Sequence, residues 1–208
     1  MSSQVMKYGS TNMTLKWSSK VRNGRLTIPQ DQKNSVSPNQ ESKQCCWIFF
    51  NIRGIVHYEF VPTGQTVNQV YYLEVLERLH EKVRWKRPEL FANNSWILHQ
   101  DNAPAHMALS VRECSATKQI IVLEHPAYSP DLAPNDFFLF PKIKEILKGR
   151  HFDDIDDIRN NTMAVLRAIP QNQFQICFEG WTRRWHQCIA SQEEYFEGDH
   201  GGIQQWCM

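Results

Sequence analysis

The order of apolar segments after residue 44 constrains the fold of this chain more strongly than any other feature. The strings "CCWIFF" and "IVHYEFV" flank the turn "NIRG" and predict a β-hairpin. Downstream, apolar strands over 95–99 and 120–123 alternate with helical patterns over 72–83 and 103–118. A hairpin that leads into strands joined by helical crossovers predicts an α/β sheet covered by helices on both faces.

The helical segments carry apolar residues at helical spacing. The first of them predicts one buried face, made of Tyr72, Val75, Leu76, Leu79 and Val83. After Asp136 three more helices are predicted, and the last of them carries Phe174, Cys177, Phe178, Trp181 and Trp185. We interpret the two tryptophans as core residues, with stacking on nucleic-acid bases as the alternative.

The composition excludes several classes of protein. The length of 208 residues suits one domain with a tail, and a formal net charge of +1 is not that of a general polyanion-binding protein. The six cysteines form no Cys-x-x-Cys motif and are interpreted as reduced thiols of an intracellular protein. Neither a signal peptide nor an apolar run of membrane-spanning length is present, so no membrane partner is expected.

Positive charge is concentrated in the first part of the chain. Residues 1–48 contain seven lysines and arginines against two acidic residues. Residues 1–43 are rich in Ser, Asn, Gln, Lys and Pro and are predicted to form an irregular basic segment. Such a segment is typical of a contact with a polyanion, and it is equally typical of a solvated loop.

The string "HQDNAPAH" places Asp101 directly after a predicted strand and before a predicted helix. Asp101 is therefore either a helix cap or a metal ligand at a strand end, where sites in α/β sheets gather. Asp136 offers a second carboxylate at the start of a later helix, with 34 residues between the two. Paired carboxylates bind hard cations such as Mg²⁺, which support phosphodiester hydrolysis. His99 and His106 flank Asp101 and either orient ligands and contact phosphates or are structural polar residues.

Further strings occur in a characteristic order: "GIVHYEFVPTGQTVNQVYYLEVLERL", "WKRPEL", "HQDNAPAH", "HPAYSPDLAPNDFFLFPKIKEILKGRHF" and "RWHQCIASQEEYFEGD". Together they closely resemble the catalytic domain of mariner transposases in the Tc1/mariner superfamily. The resemblance extends from about Cys45 to Asp199. It implies an RNase H-like fold and a triad of catalytic aspartates, in which Asp101 and Asp136 match the second and third members.

The resemblance also implies a cofactor and partners. In relatives, Mg²⁺ or Mn²⁺ ions held by the triad drive DNA strand cleavage and transfer. DNA, either transposon ends or non-specific sequence, is the implied partner, with a possible homodimer and a location in the nucleus. The basic residues that follow Asp136 are candidates for contacts with the DNA backbone, or else a solvated helix face: Lys142, Lys144, Lys148 and Arg150.

The chain departs from the family pattern in two places. Relatives carry the first aspartate in a Thr-Gly-Asp-Glu string on the first strand, and a loose alignment puts Ser3 and Gln4 at the Asp-Glu positions here. Asp31 is the only aspartate before Asp101, and it lies in a polar context without a strand pattern. The helix-turn-helix domain that precedes the catalytic domain in relatives has no counterpart before the predicted hairpin.

These departures set the expectations for fold and function. We expect an RNase H-like α/β fold with a truncated or degraded first strand. The chain is divided into a basic segment over 1–43, a catalytic domain over 44–199 and a tail over 200–208. The expected function is DNA binding and processing, with cleavage impaired or reduced to residual nicking by loss of the first aspartate. The alternative is a non-enzymatic nucleic-acid-binding or dimerising module.

Overall fold

The computed structural model describes residues 12–13, 17–22, 25–27, 42–62, 64–123, 125–126, 129–148, 150, 152 and 154–190, with side chains from Cys45 onward except that of Pro130. Seven strands lie within these residues. They are β1 (Asn12–Met13), β2 (Trp17–Arg22), β3 (Arg25–Thr27), β4 (Ser42–Asn51), β5 (Gly54–Phe60), β6 (Ile97–His99) and β7 (Ile121–Leu123).

The strands form two sheets. Strands β1, β6 and β7 are parallel neighbours in that order, and β3, β2, β4 and β5 form an antiparallel sheet in that order. Strand β1 also contacts β4, so the two sheets meet along this line. The predicted hairpin is confirmed as β4 and β5. At its turn Asn51 Oδ1 accepts a hydrogen bond from the Arg53 amide at 3.0 Å, and Gly54 has a φ of +108°, which favours glycine.

Helix α1 (Gln69–Lys86) begins at Asn68, whose side chain accepts a hydrogen bond from the Tyr71 amide at 3.0 Å. Its buried residues are Tyr72, Val75, Leu76, Leu79 and Val83, so the predicted face is confirmed in full. Pro88 ends α1 and begins the short helix α2 (Pro88–Ala92), because proline fits the first turn of a helix but not its interior.

The predicted helix over 103–118 is divided in two. Helix α3 (Pro104–Met107) and helix α4 (Leu109–Thr117) are separated by Ala108, which has an extended ψ of 145°. His106 and Val111 are both buried. Five residues along a continuous helix rotate by about 140°, which would put these two side chains on different faces. The break at Ala108 allows both to enter the core.

The C-terminal half is helical, as predicted. A 3-10 turn (Pro130–Leu132) precedes a π-helix (Asn135–Leu139), which runs into α5 (Phe140–Leu147); α6 (Ile155–Ala168) and α7 (Gln171–Ala190) follow. The π-helix was not predicted. Its physical reason is Pro141, which lacks an amide donor and whose ring would collide with the carbonyl four residues earlier in an α-helix.

Side chains alternate along β4 and create two core layers. Cys46, Ile48 and Phe50 pack with α5, α6 and α7 on one face of the sheet. Trp47 and Phe49 pack with α1 on the other face. The predicted coverage of both faces is therefore confirmed.

Two expectations for the strands are wrong. Residues 1–43 are not irregular throughout, since β1, β2, β3 and the start of β4 lie among them; much of the remainder, with the tail over 200–208, lies outside the described residues. Strand β7 was predicted to be buried throughout, but Ile121 is 39% and Val122 is 36% exposed. The reason is topological, because β7 is at the edge of the three-stranded sheet.

Among the described cysteines, Cys46, Cys114 and Cys177 are free thiols. Cys207 lies outside the described residues. Within the part of the chain that the structure describes, the helices are too short or too polar to cross a membrane.

Glu59 links β5 to helix α1. Its carboxylate accepts hydrogen bonds from Arg78 Nε at 2.8 Å and Nη2 at 2.9 Å, and it lies 3.0 Å from His57 Nε2. Burial alone would raise the pKa of Glu59, but the hydrogen bonds from His57 and Arg78 outweigh it and lower the pKa to about 2.

We expect Glu59→Gln to lower the free energy of unfolding by about 1–2 kcal/mol at neutral pH, less than the full pKa shift implies because Arg78 is 43% exposed. The folded-state pKa is lowered, so this contribution is complete above the ordinary value of 4.5 and is lost as the pH falls towards 2. Urea denaturation of the wild type and of Glu59→Gln should be measured from neutral pH down towards pH 2. The free energies of unfolding of the two proteins should become equal as the pH falls. Glu74→Gln, which removes the weaker partner of Arg78, is the matched control; a constant gap at every pH would contradict the role of Glu59.

Candidate active site

The fold brings Asp101 and Asp136 to the same end of the parallel sheet. Asp101 follows β6 by two residues, and Asp136 lies in the first turn of the π-helix. Burial raises the pKa of Asp136 to about 6, and the negative charges of Asp101 and then Asp131 add to this effect. The two predicted site residues are therefore electrostatic neighbours, although 34 residues separate them in sequence.

Asp101 makes two local contacts directly after β6. Its Oδ1 accepts a hydrogen bond from the Ala103 amide at 3.2 Å and lies 2.5 Å from His106 Nδ1. Ala103, and not Asp101, occupies the N-cap position of α3. The side chain of Asp101 is 55% exposed, so the carboxylate remains accessible while two local contacts orient it.

His106 is a fully buried partner of that carboxylate. Its ring lies 4.2 Å from the ring of Tyr72 and 5.5 Å from that of Trp47. Tyr72 donates a hydrogen bond to Gln100 Oε1 at 2.5 Å, and Gln100 donates to the His106 carbonyl at 3.4 Å. Helix α1 and the segment after β6 thus hold the buried His106 ring in place beside Asp101.

His99 is also structural. Its Nε2 lies 3.1 Å from His125 Nδ1, and its ring is 5.1 Å from that of Trp181. Burial and then the neighbouring His125 lower the pKa of His99 to about 3, so the ring is neutral at physiological pH. Asn102 donates to the His125 carbonyl at 2.7 Å. These contacts fix the segment after β7 beside Asp101.

Trp181 positions the segment that leads to Asp136. Its Nε1 donates a hydrogen bond to the Leu132 carbonyl at 2.7 Å. In the same segment Asp131 lies 3.9 Å from Arg184 Nη1, and the Asp136 amide donates to the Ala133 carbonyl at 2.8 Å. Helix α7 therefore supports the Asp136 side of the site. The interpretation of Trp181 and Trp185 as core residues is confirmed, since both are buried.

The strand beside β6 supplies no carboxylate in its described residues. In β1, Asn12 pairs with Ile97 and Met13 with Leu98. The sequence contains no acidic residue before Asp31, which lies outside the described residues, as do Ser3 and Gln4. The loose alignment put the first catalytic strand at Ser3 and Gln4. In the structure the strand that pairs with β6 on this side is β1, which begins at Asn12 and so lies several residues later in the sequence. The described part of the chain contains no group of three or more acidic, histidine or cysteine residues suited to one metal ion.

The four predicted DNA-contacting residues differ in the contacts they make. Lys142 Nζ donates to Gln173 Oε1 at 2.9 Å, and Arg150 Nη1 donates to Asn161 Oδ1 at 3.0 Å. Lys144 and Lys148 are exposed. Two of the four therefore make contacts within the fold, and their role in DNA binding stays a prediction.

Several residues of the site were not found by sequence reasoning. Tyr72 had been assigned only to the core, and Gln100, Asn102 and His125 carried no pattern that marked them as partners of the site. Each acts through a contact with a residue from another element. The available signal was their place within the strings that carry the family resemblance, and these strings do not show what each side chain contacts.

Comparison with known proteins gives the same family in three ways. Residues 17–93 match the family model described as "Transposase (partial DDE domain)". The chain is 31% identical over 172 residues to the Mariner Mos1 transposase of Drosophila mauritiana, covering 81% of this chain and 49% of the relative. It is 25% identical over 150 residues to human histone-lysine N-methyltransferase SETMAR, covering 72% of this chain and 22% of that protein. The chain thus spans at most about half the length of these relatives.

Solved structures show the same similarity. The catalytic domain of Mos1 transposase with Raltegravir and Mn matches with a TM-score of 0.78 and 27% identity, covering 94% of this chain and 90% of that one. A pre-cleavage Mos1 transpososome matches with a TM-score of 0.79 and 27% identity, covering 94% and 60%. The predicted RNase H-like α/β fold is confirmed.

Proposed function

This chain belongs to the mariner transposases of the Tc1/mariner superfamily, and we propose that it is a DNA-binding domain in which strand cleavage is impaired. One observation carries the proposal: Asp101 and Asp136 lie near enough to interact electrostatically, whereas the chain has no acidic residue before Asp31 to provide a carboxylate on the strand next to β6. We infer that this chain retains two members of the family triad and lacks the first.

The two aspartates suit a divalent cation. Asp136 lies where burial and neighbouring negative charge disfavour its ionisation, and a bound cation would relieve that repulsion. Mg²⁺ and Mn²⁺ accept carboxylate oxygens as ligands. Asp101 and Asp136 would hold the ion, whose chemistry when bound is to activate water and stabilise the leaving oxygen of a phosphodiester. Solved Mos1 structures are described with Mn and with Mg.

The residues of this chain would contribute orientation and charge. His106 and the Ala103 amide set the direction of the Asp101 carboxylate. Trp181 holds the Leu132 carbonyl and so positions the segment before Asp136. Phosphoryl transfer depends on such positioning, and loss of one anionic ligand of three weakens it. We infer residual nicking at most.

DNA is the proposed partner, in an assembly of two copies and in the nucleus. The solved Mos1 relatives include a "paired-end complex with left transposon end" and a "Strand Transfer Complex". For the present chain, the proposed DNA is either a transposon end or non-specific sequence.

Nicking of supercoiled plasmid tests the proposal. With Mg²⁺ or Mn²⁺ we expect weak conversion to open circles by the wild-type chain and none by Asp101→Asn or Asp136→Asn. A rate at least about a hundredfold below that of a complete family enzyme is expected, since each removed catalytic group commonly costs at least that factor. Full activity of the wild-type chain would contradict impairment.

A rescue experiment tests the missing carboxylate directly. Met13 pairs with Leu98, three residues before Asp101, so aspartate should be introduced singly at positions 14, 15 and 16, which follow Met13 in sequence. We expect one of these variants to increase metal-dependent nicking, and the increase to disappear when Asp101→Asn is added. If all three remain at the wild-type level, absence of this carboxylate is not what limits cleavage.

The absent carboxylate also favours a non-enzymatic DNA-binding or dimerising module. That function predicts salt-sensitive DNA affinity that survives Asp101→Asn and falls when Lys7 and Lys33 of the basic segment are replaced by glutamine. If the wild-type chain binds DNA but does not nick it, the non-enzymatic function is correct and residual cleavage is not.

A further inference from the structure

A cleft of about 420 Å³ opens beside the β4–β5 turn. It lies where this turn meets the C-terminal end of α1 and the connection between α6 and α7. Six of its eleven lining residues are apolar or aromatic: Ile55, Tyr58, Met163, Leu166, Ile169 and Phe174. The charged residues that line it are all cationic, namely Arg53, Lys86 and Arg167, and none of the described lining residues is acidic.

Helix α1 separates this cleft from the aspartates. Tyr72, near the start of α1, donates a hydrogen bond to Gln100, the neighbour of Asp101. Lys86 ends the same helix. Fourteen residues of α-helix span about 20 Å, so the cleft is remote from the candidate active site. A ligand bound there would not depend on Asp101 or Asp136.

The positive charge at the cleft is only partly neutralised. Arg53 Nη1 lies 2.5 Å from Glu89 Oε1, whereas Lys86 and Arg167 form no ion pair with any residue that the structure describes. Burial, together with the positive charges of Arg87 and Lys82, lowers the pKa of Lys86. Cations that lie this close without matching carboxylates favour an anionic ligand.

We propose that the cleft binds one unpaired nucleotide of a DNA strand, with the base against the apolar wall and the phosphate at Arg53, Lys86 and Arg167. The volume is in the range of small-molecule sites, about 300–1,000 Å³. A volume of this size suits one nucleotide. Apolar and aromatic contacts for bases, beside cations for the backbone, are the general means of binding single strands. This inference goes beyond the proposed function and does not require cleavage.

Fluorescence anisotropy of a labelled ten-nucleotide oligothymidine, with the full chain in EDTA at low salt, tests the cleft without metal at the aspartates. We expect the double variant Lys86→Gln, Arg167→Gln to bind about tenfold more weakly than the wild type. Arg112→Gln, an exposed charge removed on α4, should change the affinity by less than about twofold. Equal affinities of the wild type and the double variant would overturn the proposal.

Two further variants separate the cleft from general charge effects. Glu89→Gln frees Arg53 and should strengthen binding about two- to threefold. Met163→Phe fills the cleft without a change of charge and should weaken binding of the single strand several-fold, while leaving duplex binding unchanged. Unchanged single-strand binding by a folded Met163→Phe protein, checked by thermal denaturation, would overturn the cleft as the site.

Competition experiments distinguish a DNA strand from a free nucleotide as the ligand of the cleft. A duplex of the same sequence should compete more weakly than the single strand, and thymidine monophosphate should compete only at much higher concentration. Stronger competition by the free nucleotide than by the strand would overturn a strand as the occupant. Asp101→Asn should bind the strand as the wild type does, so loss of nicking and loss of cleft binding are separate outcomes.

Discussion

Replacing Trp181 with alanine is expected to lower the free energy of unfolding by about 3–5 kcal/mol. Trp181 is fully buried, lies against Phe178 and His99, and donates a hydrogen bond to the Leu132 carbonyl. The substitution opens a cavity and leaves that carbonyl without its donor. Urea denaturation followed by circular dichroism measures the loss, and a decrease below about 1 kcal/mol would contradict the packing described.

Trp185 provides a matched control for the hydrogen bond. It is buried one helical turn away, but its Nε1 has no hydrogen-bond partner among the described residues. Phenylalanine at either position keeps most of the apolar volume and removes the indole donor. We expect Trp181→Phe to be more costly than Trp185→Phe by about 1–2 kcal/mol, because only the first leaves a carbonyl unpaired. Equal costs would show that the bond to Leu132 contributes nothing to stability.

Replacing His106 with alanine is expected to lower the free energy of unfolding by about 2–4 kcal/mol. The ring fills the space beside Tyr72 and Trp47 and is fully buried. Its loss also removes the contact that orients Asp101. We therefore expect the affinity for Mn²⁺ to fall about tenfold, which is the usual cost of losing a group that holds a metal ligand in place. The increase in melting temperature on addition of Mn²⁺ measures this affinity.

Asp101→Ala separates packing from charge in this pair. Because the Asp101 side chain is 55% exposed, we expect a loss of stability below about 1 kcal/mol together with complete loss of the Mn²⁺ effect. His106→Ala should show the opposite result, namely a large loss of stability and only a partial loss of affinity for Mn²⁺. If both variants lose equal stability, the contact between His106 and Asp101, and not the packing of the ring, provides the stabilisation.

The parts of the fold that were predicted correctly depend on local periodicity. The buried face of α1 and the aromatic face of α7 follow a helical period, and the β4–β5 hairpin follows from two apolar runs around a glycine turn. In these segments each residue's burial is set by its neighbours within one or two turns. Such patterns are visible without knowledge of what packs against them.

The errors occurred where long-range packing overrides local pattern. Ala108 interrupts a good helical sequence so that His106 and Val111 both reach the core. Strand β2 lies in a polar segment with no alternation, but it pairs with β4 over Trp17–Val21. Strand β7 has the sequence of a buried strand and is exposed because nothing pairs with its outer edge among the described strands. In each case the decisive contact is with a different element.

The sequence by itself determined which chemical groups the site contains. It placed Asp101 after a strand, Asp136 at a helix start, and no acidic residue before Asp31, and the strings around them identified the family. Only the tertiary structure decided how these groups are arranged. The contact of Tyr72 with Gln100 and that of Trp181 with Leu132 join residues 28 and 49 positions apart, and the cationic cleft combines residues of β5, α1, α6 and α7. Periodicity reports neighbours along the chain, whereas a site is built from neighbours in space.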